Sequence, residues 1–299
     1  MWNRDGFFKV TAAMAIAAQM VSAATDITAK FTDPIFKAEV YNLIGKTSGS
    51  PILDSDVSKI ANLDVLDKKI TSLDGIEYFT ALLNLYCGHN GLTALDVSQN
   101  TNLTVLCCND NQLTTLDVSN NKKLKSLFCH NNQLTELDVS NNTKLIALYC
   151  QLNQLTELDV SKNTKLLDLG VPNNQLTTLD VSNNTELWFL HIAENRITAI
   201  DLSKNTELEE FYCMDNQLTE LNLLNNKALT KVYVERNLFA SENDIKGLKK
   251  PSDYEQYSFE PQRRKNKVTF NTNADSEVAP LIDVLSFEKI TEPAAPEKA

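Results

Sequence analysis

The sequence predicts an α/β-type solenoid, with parallel β-strands on a concave face, a mostly irregular or extended convex side, and a small helical N-terminal cap. Three observations predict it. One 21-residue pattern, L-T-x-L-D-V-S-x-N-T-x-L-x-x-L-x-C-x-x-N-Q, opens at Leu92, Leu113, Leu134, Leu155, Leu176, Ile197 and Leu218, after a 22-residue variant at Ile70. A strict period of this length belongs to stacked coils, each burying its apolar side only against its neighbours. Within each period, L-x-C alternates in the manner of a short strand with one face buried. Finally, the pattern fades at both ends, where a stack needs atypical caps to cover its open core.

Along the chain, residues 1–23 read as an export signal. Arg4 and Lys9 flank a charged start, Val10 to Val21 is mostly apolar, and Val21-Ser22-Ala23 offers a small-residue cleavage site. That stretch is shorter than the roughly 20 apolar residues of a membrane span, and the chain holds no other candidate. The expected location is therefore secreted or at the bacterial cell surface. Residues 24–69 form the predicted cap and a degenerate half-coil. Thr32-Asp33-Pro34 supplies a helix start, and Phe36, Val40 and Leu43 are expected on one buried helical face. Residues 70–239 are the coils and 240–266 a C-terminal cap and linker. Residues 267–299 begin a separate β-rich segment.

With 28 basic and 39 acidic residues the net charge is −11, which makes nucleic acid and anionic membranes poor partners. No nucleophile–base pair, phosphate loop or metal cluster is apparent. The reading is therefore of a non-enzyme without catalytic residues, cofactor or metal, and of a monomer.

Four columns repeat through the coils. Asn90, Asn111, Asn132, Asn153, Asn174, Asn195, Asn216 and Asn237 follow the strand, where a buried amide can bond free backbone groups of the turn. Cys87, Cys108, Cys129, Cys150 and Cys213 share an inward slot that Val171, Ile192 and Val234 fill elsewhere. That exchange marks the thiols as small core hydrophobes, a reduced structural ladder. Asp96, Asp117, Asp138, Asp159, Asp180 and Asp201 point outward on the convex side. Their even spacing lacks the asymmetry that separates an acid from a base, so they read as a solvated, hydrogen-bonded column, with calcium bridging as the weaker alternative.

The fourth column is variable and carries Tyr86, Cys107, Phe128, Tyr149, Gly170, His191, Tyr212 and Tyr233. It is expected to face outward on the concave side, with Ile146, Leu152, Leu167, Trp188 and Phe189 nearby. Rings stacking along a parallel sheet are the structural explanation. Exposed aromatics also mark interaction sites, and binding is the preferred reading for Tyr86, Phe128, Tyr149, Trp188, Phe189, His191, Tyr212 and Tyr233. Cys107, in the outward slot, is expected to be the accessible thiol. His89, His130 and His191 fall in different columns several coils apart, which argues against metal chelation. Glu194, Glu209, Glu210, Asp215 and Glu235 turn the C-terminal part of the face acidic, favouring a ligand with a basic rim.

The motif L-x-x-L-x-C-x-x-N-Q-L-T-x-L-D-V resembles the cysteine-bearing leucine-rich repeats of the internalin J type. Phe31 to Ile44 looks like the internalin N-terminal cap and Tyr254 to Gln262 like the stretch that closes the array. Residues 267–299 are similar to the opening half of a Listeria–Bacteroides repeat, although Asn273-Ala274-Asp275 stands at its usual glycine-rich turn. This resemblance implies an exported module that binds protein, such as a host receptor, in adhesion or host contact. A carbohydrate ligand, or a role as spacer or targeting module for a further domain, are the alternatives.

Overall fold

The protein is described here from a computed structural model, in which residues 24–263 are placed. The signal-peptide and Listeria–Bacteroides assignments lie outside those residues. The fold below belongs to one compact unit that ends at Gln262.

Helix α1 (Pro34–Ile44) opens the fold. Asp33 caps it, its carboxylate accepting from the Ile35 and Phe36 amides, and Gly45 closes it at φ 66°, a left-handed turn that glycine adopts without strain. The buried face is Phe36, Val40 and Tyr41 with Ile44 half-covered. Leu43 was expected on that face but is 47% exposed, because helix and core meet along positions 36, 40, 41 and 44. Phe36 packs against Phe31 and Phe79, sealing the first coil. A short helix α2 (Asp54–Val57) leads into the sheet.

The strands are β1 (Asn62–Asp64), β2 (Asn84–Tyr86), β3 (Val105–Cys107), β4 (Ser126–Phe128), β5 (Ala147–Tyr149), β6 (Asp168–Gly170) and β7 (Phe189–His191). They continue as β8 (Glu210–Tyr212), β9 (Leu221–Asn222), β10 (Lys231–Tyr233), β11 (Ile245–Lys246) and β12 (Gln256–Ser258). Ten of them form one parallel sheet in the order β1 to β8, β10, β12, while β9 and β11 pair separately. Register follows the repeat: Leu106 lies opposite Leu127, which lies opposite Leu148. The strands centre on that inward residue and end on the variable one, a residue earlier than a pattern centred on Tyr86 or Tyr149 implies. Three residues on, each coil turns through a left-handed residue, from His89 (φ 51°) to Arg236 (φ 55°).

Sequence periodicity ends at Phe239, yet the sheet does not. β12 adds a tenth parallel strand, with Tyr257 opposite Val232, so the C-terminal segment is a last, degenerate coil. Phe259 and Tyr257 close the core there.

Two asparagine ladders clamp the coils. In the expected one, Asn111 donates to the Cys87, Cys108 and Asn109 carbonyls and accepts from the Leu92 amide, and the pattern repeats to Asn237. Gln262 ends this ladder, donating to the Val234 carbonyl and accepting from the Asn237 amide. The second ladder runs Asn100, Asn121, Asn142, Asn163, Asn184, Asn205, Asn226. Each of these donates to two carbonyls of the preceding coil, as Asn142 does to Val118 and Asn121. This second column stands in the S-x-N of the repeat, and the sequence reading did not single it out.

Candidate functional site

The concave surface is built from the non-inward strand positions and the residue before each strand. In-register pairing puts Tyr86, Cys107, Phe128, Tyr149, Gly170, His191, Tyr212 and Tyr233 side by side. Phe189 lies two residues before His191, opposite Asp168, and Trp188 immediately precedes it. Phe128 and Tyr149 stack at 5.5 Å and 8°, and Tyr212 and Tyr233 at 5.0 Å and 12°. Phe189 bridges the two stacks, 6.3 Å from Tyr149 and 5.6 Å from Tyr212, with Trp188 5.9 Å away on its other side. The bridge exists because Gly170 has no side chain: a Cβ there would meet the Tyr149 ring at 2.6 Å.

This packing corrects the expectation of an exposed column. Tyr149 (4%), His191 (6%) and Tyr212 (7%) are buried, while Tyr86, Phe128, Trp188, Phe189 and Tyr233 are half-buried. Strands about 4.8 Å apart bring neighbouring rings into contact, so a ring placed outward on the sheet is covered by the next one. Cys107 is likewise buried, at 1%, between Tyr86 and Phe128, and burial pushes its thiol pKa up. It is not the accessible thiol.

Charge is distributed unevenly over this face. Glu210 accepts from the Tyr212 hydroxyl at 2.8 Å and from Lys231 at 2.7 Å. Arg236 pairs with Asp215 at 2.6 Å. Asp168 differs: its Oδ1 is closed off from solvent, and no donor among the described residues reaches it. Burial, with help from the Glu210 charge, pushes Asp168 up to about 6. Burial holds His191 down at about 4, so it is neutral at pH 7, and its Nε2 has no partner.

His89 and His130 are also nearer than their columns implied. Asp110, at the left-handed position of the coil between them, lies 3.3 Å from His89 Nε2 and 3.8 Å from His130 Nε2. The Asp110 carboxylate also accepts from Asn109 and Asn131. Among the described residues no group of three or more His, Cys, Asp or Glu side chains is arranged to hold a metal ion.

The ladder Cys87, Cys108, Cys129, Cys150 and Cys213 is fully buried and unbridged, and burial raises Cys108 and Cys150 to about 12. On the convex side each column Asp from Asp96 to Asp201 is exposed, as expected, and accepts the amide of the serine two residues on. Asp138 Oδ1, for example, accepts the Ser140 amide at 2.8 Å, and the serine's hydrogen bonds hold that carboxyl below the ordinary range. No helix among the described residues is long and apolar enough to cross a membrane.

Comparison with known proteins fits this architecture. No protein-family model matches the chain. A segment of 71 residues, 24% of the chain, is 42% identical to internalin J of Listeria monocytogenes and corresponds to 8% of that protein's length. The solved functional domain of InlJ from L. monocytogenes, which includes a cysteine ladder, matches at 30% identity and a TM-score of 0.51. That match covers 79% of this chain and 61% of the InlJ domain. Two others agree in fold alone. An LRR protein of Leptospira interrogans matches at 24% identity and TM-score 0.58, over 66% of this chain and 54% of its own. Internalin C2 of L. monocytogenes matches at 21% and 0.59, over 81% and 99%. The chain carries a leucine-rich-repeat solenoid whose cysteine-ladder coils are similar to those of internalin J.

Proposed function

We propose that the protein is an exported, surface or secreted module that binds a protein partner through the concave face, in adhesion or host contact. The observation that carries this reading is the continuous ring cluster from Phe128 through Tyr149 and Phe189 to Tyr233, with Trp188 and Phe189 left half-open at its centre. A ring kept only for packing has no reason to sit at the rim of its stack in water, and Trp and Tyr dominate binding hot spots. The likeness to InlJ supports the fold that presents such a face.

A sugar ligand fits less well. Rings hold sugars by their faces, and here Phe128 and Tyr149, and Tyr212 and Tyr233, each spend one face on the other. The test is capture of partners from host-cell extracts by the native chain, set against W188A, F189A and the convex pair D138N/D159N. Loss of about 1–4 kcal/mol of binding is expected for each aromatic variant and none for the convex one. The opposite pattern means that the wrong face has been chosen.

A further inference from the structure

We propose that Asp168 is the cation-recognition point of the concave face, taking an arginine or lysine side chain of a protein partner among Tyr149, Trp188 and Phe189. The inference rests on the concave face being the binding face and names what it selects.

Four observations carry it. Asp168 stands in the middle of the ring cluster, opposite Phe189, and is only partly covered, yet its Oδ1 is sealed and unbonded. A carboxylate so far withdrawn from water without a donor is costly, and a partner's cation bonding its other oxygen, Oδ2, which is not sealed, lowers that cost. Next, two cations of the same face are already engaged: Lys231 bonds Glu210 and Arg236 bonds Asp215. His191, on the adjoining strand and buried with its Nε2 unpartnered, is neutral and adds no positive charge to repel an incoming one. Last, the surroundings suit a cation. Tyr149, Phe189 and Trp188 form an aromatic wall, which attracts guanidinium and ammonium groups, and Glu209, Glu210 and Glu235 add negative potential.

The experiment uses the full chain and a peptide array in which one central position carries Arg, Lys, citrulline or Glu within otherwise identical aromatic-flanked peptides. Citrulline keeps the shape of Arg and removes its charge. The native chain should retain Arg peptides about tenfold more than citrulline peptides, and D168N should bring the two within about twofold. D138N/D159N, which loses two negative charges where D168N loses one, should keep the native preference, separating a site from general attraction to an acidic protein. Thermal melts confirm that each variant is folded. If D168N keeps the Arg preference while W188A weakens all peptides, the face is right and this inference is wrong. If W188A and F189A leave capture unchanged, the concave reading itself fails. No preference for Arg or Lys over citrulline in the native chain overturns the proposal outright.

Discussion

Asp168 and the convex aspartates respond to acid in opposite directions. Asp168 is raised from 3.8 to about 6, so between those values the native state holds a proton that the unfolded chain has released. Its contribution is therefore present at low pH and is lost as pH rises through about 6. D168N should stabilise the protein by up to about 2 kcal/mol at pH 7 and by little at pH 4, as read from denaturant unfolding at both. Equal gains at both pH values would contradict the burial argument. Asp117, Asp138, Asp159, Asp180 and Asp201 are lowered instead, so what they add is present above the ordinary 3.8 and fades below it. The thiols give a second check at this scale. All six are buried, so a thiol reagent should label none in the native protein and six after denaturation. C129V should cost less than about 1.5 kcal/mol, because Val171 fills the same slot. Labelling of Cys107 in the native chain would show that its cover of rings is not closed.

Each coil is a strand, a left-handed turn and a convex corner, and the first and last were legible because apolar spacing alone sets them. Every inward Leu from Leu85 to Leu190 is buried as its place in the period requires. What the spacing did not reveal was how much of the concave column would be covered. Coverage depends on the neighbour's size, and the single small residue Gly170 lets the Tyr149 ring lie across its strand. The Asp110 link to His89 and His130 was hidden for a similar reason: it needs the turn at φ 52°, which no spacing in the sequence encodes. G170V tests the role of that gap. It should displace the Tyr149 ring and cost about 1–3 kcal/mol, typical of overpacking, while leaving the parallel sheet intact by circular dichroism. A variant as stable as the native chain would mean the ring has room elsewhere.

The whole array is a line of nearest-neighbour contacts, so damage should remain local. Phe36 fills the N-terminal end against Phe31 and Phe79, and F36A should cost about 3–5 kcal/mol. Hydrogen exchange should then quicken at Val65, which bonds Tyr86, before it does at Val171, which bonds His191. Uniform quickening along the chain would reveal a single cooperative block instead. The asparagine ladders carry a consequence for length. Asn121, Asn142, Asn163 and Asn184 each donate to carbonyls 24 and 21 residues earlier, so every coil offers the next one the same docking edge that it received. A copy of residues 134–154 spliced after Gln154 therefore meets matching edges on both sides and extends the stack by about 4.8 Å. A spliced segment of 20 residues meets none. Such a gene can grow by whole-unit duplication, which makes the reach of the concave face a heritable quantity counted in coils.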